Sequence, residues 1–131
     1  MDLRKKTELI VIHCAATKAS MDIGASEIKK WHVDDNGWDD IGYHYIIKRG
    51  GLVEVGRPEA FQGAHAPAVN SKSIGICLVG GMADDGGAEN NFTLQQFLSL
   101  KDLIKRLIAS NSNIKEIVGH CDIQDNKPNC P

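Results

Sequence analysis

The 131-residue sequence lacks a long apolar run, an excess of positive charge and any internal repeat. Its apolar runs, such as Leu9 to Ile12, have the length of a strand and fall far short of the ~20 residues that span a bilayer. Fifteen basic and seventeen acidic residues give a net charge of −2, which argues against bulk binding to nucleic acid or to an anionic membrane. We therefore expect one globular domain, residues 1–131, that is a monomer and binds neither.

The four cysteines are expected to be reduced thiols. No apolar stretch or small-residue cleavage site follows Met1, so the start of the chain does not have the pattern of a secretory signal. Cys14, Cys77, Cys121 and Cys130 could form two disulfides in a secreted protein, but a chain without a signal favours free thiols that serve packing or metal binding. Cys77 lies in the apolar run 73–79 and is interpreted as a small core residue.

Strand and helix patterns are interspersed, which predicts an α/β fold with a mixed central sheet flanked by helices. The predicted strands are Thr7 to His13, two strands within Gly42 to Gly56 around Arg49-Gly50-Gly51, Ser73 to Val79, and Ile117 to His120. A first helix is predicted over 26–32, with Ser26 as its N-cap.

The clearest helix signal begins at Thr93. Thr93 and Gln96 have the spacing of a capping box, in which each side chain hydrogen-bonds the other residue's backbone N–H. The apolar stripe that follows consists of Phe97, Leu100, Leu103, Ile104, Leu107 and Ile108. This spacing predicts an amphipathic helix packed on the sheet.

Three residues have the chemistry of a zinc site. His13 and His120 stand at the ends of the first and last predicted strands, and Cys130 follows ten residues after His120. Two imidazoles and a thiolate suit zinc, and three protein ligands leave a fourth position open. The spacing alone is not diagnostic. A Cys14–Cys121 disulfide or another cysteine-containing metal site remains open on these grounds.

The sequence resembles the zinc-dependent N-acetylmuramoyl-L-alanine amidases of the phage lysozyme and peptidoglycan recognition protein family. The resemblance rests on several blocks in family order, spread over nearly the whole chain. They are Ile10-Val11-Ile12-His13-Cys14-Ala15-Ala16-Thr17, Ile28-Lys29-Lys30-Trp31-His32 with Gly37-Trp38, Ile41-Gly42-Tyr43-His44-Tyr45-Ile46-Ile47, Gly63-Ala64-His65-Ala66, Asn70 with Ser73-Ile74-Gly75-Ile76, and Gly119-His120-Cys121-Asp122 before Cys130-Pro131.

The resemblance implies an amidase that cleaves the bond between N-acetylmuramic acid and L-alanine in peptidoglycan. It implies one Zn²⁺ per chain, held by His13, His120 and Cys130, with Tyr43 as a catalytic residue. The family's catalytic lysine commonly lies two residues before the cysteine ligand, where this chain has Pro128. Lys127 is therefore the candidate for that role. Without it, the developing oxyanion would depend on zinc and Tyr43, and an amidase slower by ~10²–10³ is expected.

The remaining histidines receive different interpretations. His65 is expected to contact substrate, as the family often has a histidine beside the cleft. His44 follows Tyr43 on a strand and is interpreted as structural, facing the opposite side. His32 is placed at a helix end where a cation is favoured, and it is not expected to be a ligand. Trp31 is expected in the core, while Asn70 and Ser73 are expected to shape the turn before a strand.

The sequence is compatible with three functions. The first is a phage or prophage endolysin, made in the bacterial cytoplasm and acting on the cell wall after release. The second is a module that binds muropeptide without cleaving it. Such modules typically lack the cysteine ligand, so Cys130 favours the enzyme. The third is a phage regulatory protein that binds a polymerase, for which the charge pattern offers no support.

Overall fold

The structure, a computed structural model, describes residues 1–123. Five strands form the main sheet: β1 (Leu9–Cys14), β3 (Tyr45–Ile47), β4 (Val53–Val55), β5 (Ser73–Leu78) and β7 (Glu116–Gly119). Their order is β4-β3-β5-β1-β7, and all neighbours are parallel except the β3–β4 hairpin. Two short strands, β2 (Thr17–Lys18) and β6 (Gly81–Met82), pair separately. The predicted mixed sheet is confirmed.

The longer helix, α2 (Leu94–Ser110), begins as the sequence predicts. The Gln96 N–H donates to Thr93 Oγ1 at 3.0 Å, and the Thr93 N–H donates to Gln96 Oε1 at 2.9 Å. Gln96 is fully buried because its Nε2 also donates to the carbonyls of Ile47 and Val79. The apolar stripe is narrower than predicted, since Phe97 is 43% exposed.

The shorter helix differs from the prediction at both ends. Helix α1 (Ala25–Lys30) has Gly24 at its N-cap, and Ser26 lies inside the helix with its hydroxyl donating to Glu27. The Ala25 N–H at the helix start donates to Glu54 instead. The chain then continues as a π-helical turn, Trp31–Asp35, so it does not end at His32. Trp31 is 37% exposed and is not a core residue as predicted.

Alternation along the strands gives the main sheet two different faces. One, here called the helix face, packs against α2. It consists of Ile10, Ile47, Ile74, Ile76 and Leu78, which are buried together with Leu103 and Leu107. The other, here called the site face, carries Val11, His13, Ser73, Gly75 and Cys77. The loop 57–72, with a short 3₁₀ turn at Asn70–Lys72, contributes to the covering of this face. Within residues 1–123, no helix is long and apolar enough to cross a bilayer.

Candidate active site

Strand register brings His13 and His120 together. Strands β1 and β7 run parallel and pair Ile12 with Gly119, so the residue after each partner is a histidine at the carboxyl end of the sheet; His120 begins a short 3₁₀ turn directly after β7. The two Nδ1 atoms lie 3.0 Å apart and the ring centroids 4.3 Å apart. His13 is 1% and His120 6% exposed. Two residues 107 positions apart therefore share one buried point, at the edge where open α/β sheets bind ligands.

This donor pair fits a zinc ion. Tetrahedral zinc holds imidazole nitrogens at about 2.0–2.1 Å, which separates two such nitrogens by about 3.3 Å. The separation of 3.0 Å between the two Nδ1 atoms needs only a small opening. No third His, Cys, Asp or Glu joins them in a metal-binding group within residues 1–123. The other predicted ligand, Cys130, and the candidate catalytic Lys127 lie outside the described residues.

The opposite edge of the His13 ring contacts His65. His13 Nε2 lies 2.8 Å from His65 Nδ1, and His65 Nε2 lies 3.2 Å from Ser73 Oγ. Burial lowers the pKa of His65 to about 3, so its ring is neutral at neutral pH. Asn70 shapes this turn as predicted, because its Oδ1 accepts hydrogen bonds from the backbone N–H groups of His65 and Ala66. The predicted contact of His65 with substrate stays a prediction.

The Tyr43 ring packs beside the His13 ring. Its ring centroid is 5.1 Å from that of His13 and 5.5 Å from that of His32. A strand period of two predicts Tyr45 on the same face as Tyr43, but Tyr45 packs on the helix face and donates a 2.7 Å hydrogen bond to Glu59. The expectation was wrong because β3 begins at Tyr45, and the period of two does not extend back into the loop that holds Tyr43.

His32 supports this loop as a neutral acceptor. Its Nδ1 accepts a 2.9 Å hydrogen bond from the Gly42 N–H, and its ring packs on Trp38 with centroids 4.5 Å apart. Burial, with a smaller contribution from the Arg57 charge, lowers the pKa of His32. This corrects the prediction of a cationic histidine at a helix end. His32 instead orients the backbone directly before Tyr43.

His44 has the structural role that the sequence predicted. The ring is fully buried, its Nδ1 accepts from the Gly75 N–H at 3.0 Å, and its Nε2 lies 2.7 Å from the Phe61 carbonyl oxygen. Burial lowers the pKa of His44 to about 4. The neutral ring thus joins β5 to the loop that follows β4.

No disulfide joins the cysteines within residues 1–123. Cys14 and Cys77 are buried and Cys121 is exposed, so the Cys14–Cys121 disulfide that the sequence left open does not form. Burial raises the pKa of the Cys77 thiol, and a side-chain hydrogen bond with Tyr43 acts in the opposite direction. Cys77 is a core residue as predicted, and it also contacts the candidate catalytic tyrosine.

Arg57 is a supporting residue that the sequence analysis missed. It is 6% exposed, and its guanidinium donates to the carbonyl oxygens of Ile41 at 2.9 Å, Gln62 at 2.9 Å and Asp40 at 3.2 Å. These bonds hold the segment that leads into Tyr43. Backbone carbonyls as partners have no sequence signature, so no local pattern could identify this role.

Comparisons with known proteins identify related sequences and related folds. Residues 3–131 match the family model described as N-acetylmuramoyl-L-alanine amidase. The endolysin of Escherichia phage T7 is 50% identical over 106 residues, which cover 81% of this chain and 70% of that protein. Among solved structures, the endolysin amidase LysCS from Clostridium intestinale URNW has a TM-score of 0.83 at 30% identity, covering 99% of this chain and 78% of that one. Wild-type Drosophila PGRP-LB has a TM-score of 0.81 at 26% identity, covering 100% and 78%.

Proposed function

The chain belongs to the N-acetylmuramoyl-L-alanine amidase family, as its motifs predicted, and we propose that it works with one zinc ion held by His13, His120 and Cys130. The reaction is hydrolysis of the amide between N-acetylmuramic acid and L-alanine in peptidoglycan, which lyses the cell wall. The observation that carries the zinc proposal is the 3.0 Å approach of two buried Nδ1 atoms at the ends of parallel strands.

The ligands have complementary chemistry. His13 and His120 contribute neutral nitrogens, and Cys130 contributes a thiolate, which is a typical catalytic set with one position left open. When bound, zinc supplies a Lewis acid and a nucleophilic water at neutral pH. Strand ends hold both histidines, so their rings are positioned before substrate arrives.

Tyr43 and Lys127 are the proposed catalytic side chains. The Tyr43 ring lies beside His13, where its phenol can donate to the oxygen on which negative charge develops. Lys127 is proposed to place its ammonium over the same oxygen. In both cases the charge of the transition state is stabilised more strongly than that of the substrate, which is what accelerates the reaction.

The proposed partner is peptidoglycan. We propose that residues 1–131 form a single amidase domain, which acts as a monomer and binds neither nucleic acid nor membrane. The proposed place of action is the cell wall, after release from the cytoplasm of a bacterial host. The endolysins from phage T7 and Enterobacteria phage T3, which are 50% and 51% identical, support this proposal.

The test pairs zinc stoichiometry with release of stem peptide from purified sacculi, with and without a chelator. We expect one zinc per chain and chelator-sensitive release. Cys130→Ser should lose most zinc affinity because a neutral hydroxyl replaces a thiolate, whereas Cys121→Ser, at an exposed free thiol, should retain it. Full zinc occupancy in Cys130→Ser would remove Cys130 from the ligand set. Binding of muropeptide with neither zinc nor release would support a recognition module instead.

A further inference from the structure

A chain of hydrogen-bonding groups runs from His13 into the protein, away from the proposed metal. His13 Nε2 contacts His65 Nδ1 at 2.8 Å, His65 Nε2 contacts Ser73 Oγ at 3.2 Å, and Ser73 Oγ contacts the Val69 carbonyl oxygen at 2.7 Å. His13, His65 and Ser73 are 1%, 7% and 0% exposed. Because solvent barely reaches these groups, their hydrogen positions follow from one another.

The Val69 carbonyl group, at the inner end of this series, determines which atom donates in each hydrogen bond. A carbonyl oxygen only accepts, so the Ser73 hydroxyl donates its single proton to the Val69 carbonyl oxygen, at 2.7 Å. Ser73 Oγ must then accept from His65, which requires a hydrogen on Nε2 of that ring. A neutral imidazole with Nε2 protonated has a lone pair on Nδ1.

The same argument applies to His13. Since His65 Nδ1 accepts, His13 Nε2 must donate across the 2.8 Å contact, and the lone pair of the neutral His13 ring is on Nδ1. That is the nitrogen that faces His120. We propose that His65 and Ser73 are positioning residues that hold His13 in the Nε2–H form, with its Nδ1 lone pair directed at the metal position. The zinc part of this proposal rests on the proposed function.

The ring of His65 occupies a slot built for it. A Cβ added at Gly75 would lie 2.6 Å from His65 Cγ, and one added at Gly63 would lie 2.6 Å from His65 Cδ2. Carbon atoms pack at about 3.5–4.0 Å, so neither position has room for a side chain. The register explains the place, because Gly75 pairs with Val11, two residues before His13 on the same face. Two glycines therefore give His65 access to both His13 and Ser73.

The first experiment reads the tautomers directly in metal-free protein. In ¹⁵N-histidine-labelled protein at neutral pH, long-range ¹H–¹⁵N correlation spectra should show Nε2 protonated and Nδ1 unprotonated for both His13 and His65. Ser73→Ala removes the hydroxyl acceptor for His65, although a backbone hydrogen bond with residue 73 remains, and should increase the share of the other tautomer of that ring. Ser71→Ala, at an exposed serine two residues earlier, should leave the spectrum of both rings unchanged.

The second experiment measures zinc affinity by competition with a chelator. Loss of an outer partner of a ligating histidine typically costs 10–100-fold, so we expect about 10-fold weaker zinc binding for Ser73→Ala and up to about 100-fold for His65→Leu. His65→Asn should recover part of that loss, since its Oδ1 can take the place of Nδ1 as the acceptor from His13. A purely steric role for His65 would make Asn and Leu equally poor.

The outcomes separate this proposal from the zinc proposal. A proton on Nδ1 of His13 in the wild-type protein, or tautomers unchanged by Ser73→Ala, would overturn the positioning role even if zinc binds and sacculi are cleaved. The expected tautomers in a protein that takes up no zinc would overturn the metal site and leave the hydrogen-bonded chain established.

Discussion

The two faces of the sheet are formed by the same strands but have different roles: one packs against α2, and the other positions polar side chains. On the helix face, β1 and β5 contribute Ile10, Ile74, Ile76 and Leu78, which pack against α2. On the site face, alternate residues of the same strands are His13, Ser73, Gly75 and Cys77. One face gains stability from apolar burial, and the other places polar groups that burial alone would disfavour. Apolar packing on one side of the sheet therefore holds the strands whose other side positions the hydrogen-bonding groups.

Removing a proposed zinc ligand should have the largest effect. Zinc affinities of about 10–16 kcal/mol spread over four ligands correspond to about 2.5–4 kcal/mol for each, so His120→Ala should weaken zinc binding by about 10²–10³-fold. Release of stem peptide from sacculi should fall with zinc occupancy. Competition with a chelator measures the affinity, and binding as tight as in the wild type would contradict the proposed ligand set.

The two tyrosines offer a matched pair across the faces. Tyr43→Phe should lower turnover by about 10²–10³-fold, because it removes a donor to the developing charge, with zinc content unchanged. Tyr45→Phe loses the hydrogen bond to Glu59 on the helix face and should cost about 1 kcal/mol of stability with turnover unchanged. Assays of sacculus hydrolysis and urea unfolding separate the two. Equal turnover in both variants would remove Tyr43 from the mechanism.

Truncation of a side chain on the helix face should lower stability and leave zinc binding nearly unchanged. Leu103 is 2% exposed in the cluster that joins α2 to the sheet, so Leu103→Ala should lower the free energy of unfolding by about 3 kcal/mol. The zinc affinity of the protein that stays folded should remain within about twofold, since strands β1 and β7 still hold both histidines. Phe97→Ala, at a 43% exposed position on the same helix, is the control and should cost much less.

Acid should destabilise the metal-free fold through His44. The folded pKa of about 4 lies below the ordinary 6.5, so the unfolded chain takes up the proton first. The stability that neutral His44 contributes is therefore present above pH 6.5 and is lost as the pH falls towards 4, by about 2 kcal/mol at pH 5. The charges around this ring are Arg4, Arg57 and Glu59, and His65 shifts stability in the same direction.

Urea unfolding in the presence of a chelator, repeated between pH 7.5 and pH 5, tests this dependence. His44→Gln retains a donor and an acceptor but does not titrate, so its stability should fall less over that range. A loss of stability equal to that of the wild type would assign the pH dependence to other groups.

Local patterns predicted the elements with local causes. The capping box of Thr93 and Gln96 depends on residues three apart, and the structure forms it as expected. The hairpin around Arg49-Gly50-Gly51 and the apolar strand at 73–78 also follow from short-range spacing. The prediction of helix α1 was less accurate because the N–H of Ala25, its first residue, is bound by Glu54 on strand β4. Trp31 has the pattern of a core residue, yet the π-helical turn leaves it partly exposed.

Strand periodicity and ordered motifs are properties of neighbouring residues, so they predicted the fold class, the family and the candidate residues His13, His120 and Tyr43. The contacts among these residues depend instead on the pairing of distant strands. Register between β1 and β7 sets the 3.0 Å contact of His13 with His120, and register between β1 and β5 places Gly75 where the His65 ring can lie. Hydrogen bonds between distant residues then set which nitrogen of each ring carries the proton. Such contacts depend on three-dimensional proximity, for which a linear sequence has no local signal.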